Sequence, residues 1–209
     1  MDSKSRTGTL KEMNKDLSKY IVPINAGTTL IGTGVLHNSL LITAAHVVDF
    51  CRCGRDIAFK YDSNLYTLGW HNSLFFEYDE IKMGVYRDLA IFKTTIETKG
   101  LPFESERLHD GENASLYGYY DNNDGILSIN QGSGTIRLKP LWDENQKINI
   151  AINKNSFVLL GISALYECNS GCPLLYNDKV IGIVSQGNLD YNYCRLVSSS
   201  RVIDVLSDL

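Results

Sequence analysis

The sequence lacks the long apolar runs and the dense basic stretches that mark two large classes of protein. No apolar run approaches the roughly 20 residues that a membrane-spanning helix needs. The 209 residues carry a formal net charge of −4, and the basic residues are not concentrated in one segment. We therefore expect neither a membrane nor a nucleic acid as a partner.

Cysteine is also scarce in this chain. The five cysteines are Cys51, Cys53, Cys168, Cys172 and Cys194. An odd number at this low density argues against the disulfide framework of a small secreted protein. The N-terminal segment MDSKSRTGTLKEMNKDLSKY is polar and lacks the apolar core of a signal peptide. With Met1 as the natural start, these absences predict a cytoplasmic protein with reduced thiols, most of them buried.

What the sequence does contain is a succession of short strand-like runs. From Tyr20 onward, segments rich in Val, Ile, Leu, Thr and Tyr are broken by Gly, Asn and Asp, a pattern typical of strands and tight turns. TTLIGTGVL and SLLITAA flank HNS and predict a hairpin. Many short strands followed by one helix favour an all-β fold of paired barrels, although the pattern alone does not separate barrels from a sandwich.

The chain divides into five predicted segments. An N-terminal arm covers residues 1–19, a first barrel 20–100, a linker 101–112, a second barrel 113–199 and a C-terminal helix 200–209. The linker lies within ETKGLPFESERLHDGE, which combines Gly, Pro and charged residues. The helix lies within SSRVIDVLSDL, where Ser is the expected N-cap and one face carries Val202, Val205, Leu206 and Leu209.

Three short motifs carry side chains suited to covalent chemistry. LLITAAHVV places His46 after an apolar strand, YRDLAIFKT places Asp88 at the start of another, and CNSGCPL places Ser170 in a tight turn. A serine hydroxyl is a weak nucleophile that needs a base to take its proton and a third group to orient that base. Each residue alone is more often structural. Together, in the order His, Asp, Ser, they predict one particular arrangement of catalytic triad.

On these motifs, residues 20–209 resemble the chymotrypsin-like (trypsin-like) serine peptidases. TAAHVV, RDLAIF and NSGCP are similar to the catalytic motifs of that family, and VIGIVSQG is similar to its strand that pairs with substrate. The resemblance implies two six-stranded antiparallel β-barrels, with the active site in the cleft between them and a C-terminal helix. It implies no cofactor and no metal, and the implied partner is a protein or peptide substrate.

The resemblance also implies roles for individual residues. Ser170 would attack the scissile carbonyl, His46 would act as general base and then general acid, and Asp88 would orient the imidazole. The backbone N–H groups of Cys168 and Ser170 would form the oxyanion hole. Substrate binding is assigned to Ala164, Leu165, Ser185, Gln186, Gly187 and Asn192. Because Ala164 stands at the expected base of the primary pocket, an uncharged substrate side chain is favoured there.

Two residues beside Ser170 depart from the secreted digestive branch of the family. Asn169 replaces an aspartate that pairs with a newly formed N-terminal amine, and a neutral amide cannot make that ion pair. The chain is therefore more similar to bacterial and intracellular members, such as the high-temperature-requirement proteases and glutamyl endopeptidases. Cys168 replaces a glycine, and its Cβ restricts the backbone. We hypothesise an oxyanion hole that forms only with substrate or an activating partner.

Several alternatives are left open by the sequence. A Cys168–Cys172 disulfide would cross the nucleophile turn and could switch activity, and Cys51 and Cys53 could belong to a zinc site. The alternative to an active serine endopeptidase is a catalytically silent or regulated pseudoprotease that serves as a peptide-binding module. A third interpretation is a viral or accessory processing protease with a narrow substrate set.

Overall fold

Short β-strands form more than half of the residues that the structure describes. The structure is a computed structural model that describes residues 17, 19–79, 87–105, 108–121, 127–143, 148–150, 155–190 and 192–209. The strands of the first half are β1 Ile21–Ala26, β2 Thr29–His37, β3 Leu40–Thr43, β4 Ile57–Tyr61, β5 Asn64–Leu68, β6 Ser73–Asp79 and β7 Arg87–Lys93. Those of the second half are β8 Asn113–Asp121, β9 Leu127–Arg137, β10 Leu141–Asp143, β11 Ile148–Ile150, β12 Ser156–Leu160, β13 Pro173–Tyr176, β14 Lys179–Asn188 and β15 Tyr193–Ser198.

Among the described residues, helical structure occurs in short segments. The α-helices are α1 Ala45–Val48 and α2 Ser199–Ser207, and single 3-10 turns cover Asp49–Cys53, Trp70–Asn72 and Glu167–Asn169. In the described part of the chain the longest helix has nine residues, which is too short to cross a membrane. The predicted C-terminal helix is therefore present, although it begins one residue earlier than expected and ends at Ser207.

The strands form two antiparallel assemblies. The second half closes into a six-stranded barrel in the order β12-β15-β14-β13-β8-β9, and β10 and β11 pair beside it. The first half is a seven-stranded sheet in the order β5-β4-β1-β2-β3-β7-β6. The all-β double-barrel fold class is thus confirmed, with seven strands rather than six in the first assembly. The predicted segment boundaries at residues 100 and 113 remain a prediction.

Tight two-residue turns fix the register of three hairpins. Both residues are left-handed in each of these turns, as at Asn38 and Ser39, with φ of 48° and 63°. This geometry matches the right-handed twist of the flanking strands, and Asn and Asp tolerate it better than most residues. The hairpin predicted around HNS is therefore the β2–β3 hairpin, which pairs Val35 with Ile42.

A shared core fixes the position of the two barrels. Each barrel has its own cluster of buried apolar side chains, around Phe59 and Phe92 in the first and around Phe157 in the second. A third cluster contains side chains from β1, β7, β14 and α2, among them Ile91 and Val202. Burial of apolar surface at this junction stabilises one arrangement of the barrels.

The C-terminal helix packs across the junction, and its N-cap and apolar face agree with the sequence prediction with one exception. The Ser198 hydroxyl accepts the Arg201 N–H at 3.4 Å as an N-cap, and Val202 and Val205 are buried. Leu209 was expected on the same face, but it lies beyond the end of the helix and is 56% exposed.

Candidate active site

The His46 and Asp88 side chains form a close pair on neighbouring elements of the first barrel. β3 pairs with β7 in a register that sets Thr43 opposite Ala90, and α1 follows β3 directly. This places His46 Nδ1 at 2.7 Å from Asp88 Oδ2 and the His46 backbone N–H at 2.9 Å from Asp88 Oδ1. The hydrogen bond commits Nδ1 to the carboxylate and leaves Nε2 as the nitrogen for proton transfer.

A serine from the second barrel completes the environment of Asp88. The Asp88 carboxylate is fully buried, and the buried Ser185 hydroxyl donates a hydrogen bond to its Oδ2. A buried carboxylate is tolerated when its oxygens accept several hydrogen bonds, and Asp88 accepts three, two from His46 and one from Ser185. The predicted substrate-binding role of Ser185 remains a prediction, while its side chain contacts Asp88.

His46 and Ser170 face one cleft between the barrels. The cleft has a volume of about 650 Å³. Its lining residues are His46, Tyr78, Leu165, Tyr166, Asn169, Ser170, Val184, Ser185, Gln186, Gly187, Leu189 and Asp190. Among the hydrogen bonds of the described residues, none joins the Ser170 hydroxyl to His46. Such bonds are often long without substrate and tighten when it binds.

The predicted substrate-binding residues divide into two groups. Leu165, Ser185, Gln186 and Gly187 line the cleft, whereas Ala164 and Asn192 do not. Residues that the sequence did not single out, including Tyr78, Tyr166, Leu189 and Asp190, also line it. Their apolar or acidic character is visible in the sequence, but the side of the fold that they face is not.

The turn that carries Ser170 rests directly on the first barrel. The Ser170 carbonyl accepts the Thr33 N–H at 2.9 Å, and the Gly171 N–H donates to the Val184 carbonyl at 2.7 Å. Gly171 has a φ of +82°, and a Cβ there would lie 2.1 Å from the Thr33 carbonyl oxygen. Only glycine fits this position, because both the left-handed backbone and the close approach exclude a side chain.

Cys168 lies at the third position of the turn from Tyr166 to Asn169. The Asn169 N–H closes this turn on the Tyr166 carbonyl at 3.0 Å, within the 3-10 segment Glu167–Asn169. Cys168 is not among the residues with positive φ. A turn with positive φ at its third position would reverse the central peptide, which carries the Cys168 N–H. In the observed 3-10 form this central peptide is not reversed.

The predicted oxyanion hole therefore remains a prediction that concerns the substrate-bound state. The negative φ of Cys168 is the conformation that a residue with a Cβ prefers. Reversal of the peptide between Glu167 and Cys168 is the change that would turn the Cys168 N–H toward the side of Ser170. The hypothesis of an oxyanion hole that forms on binding is consistent with this geometry.

The Asn169 side chain stabilises this turn at a cost. Its Oδ1 accepts the Tyr166 N–H at 2.7 Å, so the side chain and the backbone of Asn169 both bind Tyr166. The residue is 1% exposed, and its Nδ2 has no hydrogen-bond partner among the described residues. A buried donor without a partner costs about 1–3 kcal/mol. The Asn169 Oδ1 thus caps the turn, while the Asn169 Nδ2 is a buried donor whose hydrogen bond is not made within the described residues.

The cysteines form neither of the special sites that the sequence left open. All five lie in the described part of the chain, and none forms a disulfide. Burial raises the pKa of the Cys172 and Cys194 thiols, and burial followed by the Asp56 charge raises the pKa of Cys51 to about 11. Cys53 is exposed, and the described residues contain no group of three or more His, Cys, Asp or Glu suited to a metal ion.

Comparison with known proteins identifies the fold but not a family. No protein-family model and no curated protein sequence matches the chain. Among solved structures, the Rv3671c protease of M. tuberculosis in its active form is 17% identical, with a TM-score of 0.62 over 92% of this chain and 82% of that one.

Two other structural neighbours come from viral and human proteins. The human pathogenic astrovirus serine protease is 13% identical, with a TM-score of 0.53 over 87% of this chain and 90% of that one. A mutant of human heparin binding protein (CAP37) is 15% identical, with a TM-score of 0.64 over 91% and 90% of the two chains. The chain therefore has the fold of the chymotrypsin-like serine proteases.

Proposed function

We propose that the protein is a serine endopeptidase that cleaves peptide bonds through an acyl-enzyme. The observation that carries the proposal is the pair of His46 and buried Asp88, 2.7 Å apart, at the cleft that also exposes Ser170. A preorganised imidazole–carboxylate pair serves to take a proton from a nucleophile. The neighbours with the same fold that are named as proteases favour the same chemistry.

The proposed reaction has four proton transfers through one imidazole. Ser170 Oγ forms a bond to the scissile carbonyl carbon while its proton moves to His46 Nε2, and Asp88 stabilises the resulting imidazolium. The imidazolium then protonates the leaving amine as the C–N bond breaks. A water molecule next attacks the ester carbonyl carbon while its proton moves to His46 Nε2, and the imidazolium returns a proton to Ser170 Oγ as the ester C–O bond breaks.

The proposed substrate is an extended segment of protein chain with apolar side chains near the cleaved bond. Three large apolar side chains of the cleft lining, Tyr78, Tyr166 and Leu189, are 38%, 41% and 52% exposed. Burial of such surface by a bound chain is favourable. The β14 edge at residues 185–187 also lines the cleft and suits pairing with an extended backbone.

A regulated or silent site is the second candidate, and one observation favours it. The turn that contains Cys168 has the 3-10 form, and Cys168 is not among the residues with positive φ. Asn169 caps this form from within the loop, which supports control by substrate or an activating partner rather than by a new N-terminal amine. One neighbour with the same fold is named for binding heparin, so fold alone does not decide the reaction.

The test is covalent labelling with a fluorophosphonate, which reacts with activated serines. We expect the wild-type chain to be labelled, and Ser170→Ala and His46→Gln to be unlabelled. Ser163→Ala, which removes an exposed hydroxyl of a surface loop, is the matched control and should label like the wild type. A folded wild type that stays unlabelled would favour the silent module. Equal labelling of Ser170→Ala would reject Ser170 as the nucleophile.

A further inference from the structure

Thr33 is a buried polar residue of the first barrel whose contacts extend to the second. It lies in β2, within the GTG segment of TTLIGTGVL, and is fully buried. Its backbone N–H donates to the Ser170 carbonyl at 2.9 Å. Its hydroxyl donates to the Cys168 carbonyl at 3.3 Å and accepts the Tyr119 N–H at 3.1 Å. One residue therefore binds both flanks of Asn169 in the nucleophile turn.

The same residue is linked to the strand that leads to His46. The Thr33 carbonyl accepts a hydrogen bond from the Thr43 hydroxyl at 2.8 Å. Thr43 ends β3, and His46 follows in α1. The nucleophile turn and the segment that carries the imidazole thus rest on the two sides of a single backbone unit, Thr33.

The packing around Thr33 leaves little freedom to this contact. A Cβ at neighbouring Gly32 would lie 2.9 Å from the Ser170 carbonyl oxygen, and one at Gly171 would lie 2.1 Å from the Thr33 carbonyl oxygen. The backbones of β2 and of the serine turn therefore touch directly. Small displacements at such a contact move Ser170 relative to His46, and a displacement of about 1 Å is enough to reduce a reaction rate by about a hundredfold.

We propose that Thr33 is a positioning residue that holds the Ser170 turn at the correct place relative to the His46–Asp88 pair. The inference rests on the proposed serine-peptidase function and deepens it. The hydroxyl has one proton to donate and lone pairs to accept, and it uses these to join the turn at Cys168 to β8 at Tyr119. Its removal leaves both backbone groups without this partner while the Thr33 N–H contact to Ser170 is retained.

The chain offers a matched control for the structural role of a buried threonine. The Thr94 hydroxyl, in a residue that is also buried, donates to the Ser39 carbonyl at 3.0 Å and accepts the Ile96 N–H at 3.2 Å. It makes the same pair of bonds as the Thr33 hydroxyl, but its partners, Ser39 and Ile96, lie outside the turn that carries Ser170. Thr94→Val therefore measures how much the loss of two hydrogen bonds from a buried threonine hydroxyl lowers the stability of the fold, without a change at the Ser170 turn.

The experiment compares Thr33→Val, Thr33→Ser and Thr94→Val with the wild type. The readouts are the rate of fluorophosphonate labelling, the split between kcat and KM on a cleaved peptide, and the urea midpoint. We expect Thr33→Val to lower the labelling rate and kcat by about 30-fold with little change in KM, because the turn is displaced. Thr33→Ser keeps the hydroxyl and should stay within about threefold of the wild type. Thr94→Val should lower the urea midpoint by about as much as Thr33→Val does. Its rate of labelling should nevertheless stay within about twofold of the wild type.

Several outcomes would overturn the inference. Equal labelling of Thr33→Val and wild type would show that the hydroxyl does not position Ser170, and equal loss in Thr33→Ser would show that the hydroxyl is not the cause. Equal loss in Thr94→Val would make the effect one of general stability. Should Thr33→Val not fold, Thr33→Cys replaces it, and the weaker thiol donor should still lower labelling. An unlabelled wild type would reject the proposed function itself, which separates that failure from the others.

Discussion

The two sides of the cleft are held in different ways. The His46–Asp88 side is built from adjacent strands of one barrel, and its buried carboxylate accepts three hydrogen bonds. The Ser170 side is a short turn that depends on Thr33 of the other barrel, and the buried Nδ2 of Asn169 lacks a partner among the described residues. The His46–Asp88 side is thus preorganised, while the Ser170 side contains a buried donor that its described neighbours do not satisfy.

For the proposed serine peptidase, the contrast places the control of activity in the turn that carries Ser170. A preorganised pair needs no rearrangement to accept a proton, and oxyanion donors contribute only when they already point at the developing charge. We propose that the turn with Cys168 at its third position does not meet that condition in its 3-10 form. The following substitutions test the two sides separately.

The largest effect is expected at Asp88, on the preorganised side. Asp88→Asn removes the charge that stabilises the imidazolium and offers His46 the wrong hydrogen-bonding partner, so kcat should fall about ten-thousand-fold. Steady-state kinetics on a cleaved peptide measures this loss. The control is Asp49→Asn, an exposed aspartate that pairs with Arg52, and it should change kcat by less than about twofold. A variant at Asp88 that keeps a tenth of the activity would contradict the role of the pair.

Ser185→Ala should have the next largest effect, and it tests how self-contained the His46–Asp88 side is. Ser185 belongs to the second barrel, so among the described residues its bond to Asp88 is the one hydrogen bond that this carboxylate accepts from across the cleft. Loss of a hydrogen bond to a buried charge costs about 2 kcal/mol, which corresponds to about a 30-fold lower kcat. Ser163→Ala serves again as control. An unchanged kcat would mean that the first barrel alone orients Asp88.

Cys168→Gly tests whether the 3-10 form of the turn slows the reaction, and we expect this substitution to raise the rate of acylation. Without the Cβ, positive φ at this position costs about 1–2 kcal/mol less, so acylation should become about tenfold faster. The burst phase of an ester substrate measures acylation, and Cys53→Ser, at an exposed thiol, is the matched control. If Cys168→Gly reacts at the wild-type rate or more slowly, the 3-10 form of the turn does not limit acylation. The Ser170 side of the cleft would then be as preorganised as the His46–Asp88 side.

The smallest effect concerns stability at alkaline pH and not catalysis. Burial raises the pKa of Cys172 well above its usual value, so the unfolded chain releases this proton at lower pH than the folded chain. Stability is complete below the unfolded pKa of about 8.5 and declines above it, by about 0.8 kcal/mol at pH 9 for one thiol. Urea unfolding of wild type and Cys172→Ala at pH 7 and pH 9 measures the difference. An equal decline in both chains would exclude Cys172 as its source.

The sequence predicted what is encoded locally and missed what depends on distant contacts. His46 could be found because an apolar strand precedes it within the same motif, and the HNS hairpin because its turn residues tolerate left-handed backbone. The local sequence pattern does not predict β6, because Leu74, Phe75 and Phe76 are consecutive apolar residues without strand alternation. Tyr78 of the cleft was missed with it.

The role of Thr33 could not be read from the sequence for a different reason. Its hydroxyl binds a carbonyl 135 residues further along the chain, and no local pattern reports such a contact. The same holds for the side-chain contact of Ser185 with Asp88, since the family motif describes the backbone of that strand. Strand patterns thus predict which elements exist, while the pairs that meet across the cleft follow from the way the first sheet packs against the closed second barrel.

The placement of Thr33 also has a consequence for the order of events during synthesis. Chains leave the ribosome from their N-terminus, and their domains fold largely in that order. β2, which receives the serine turn, is therefore made before Ser170 is translated. The turn that carries Ser170 thus takes shape against a strand that the growing chain already contains.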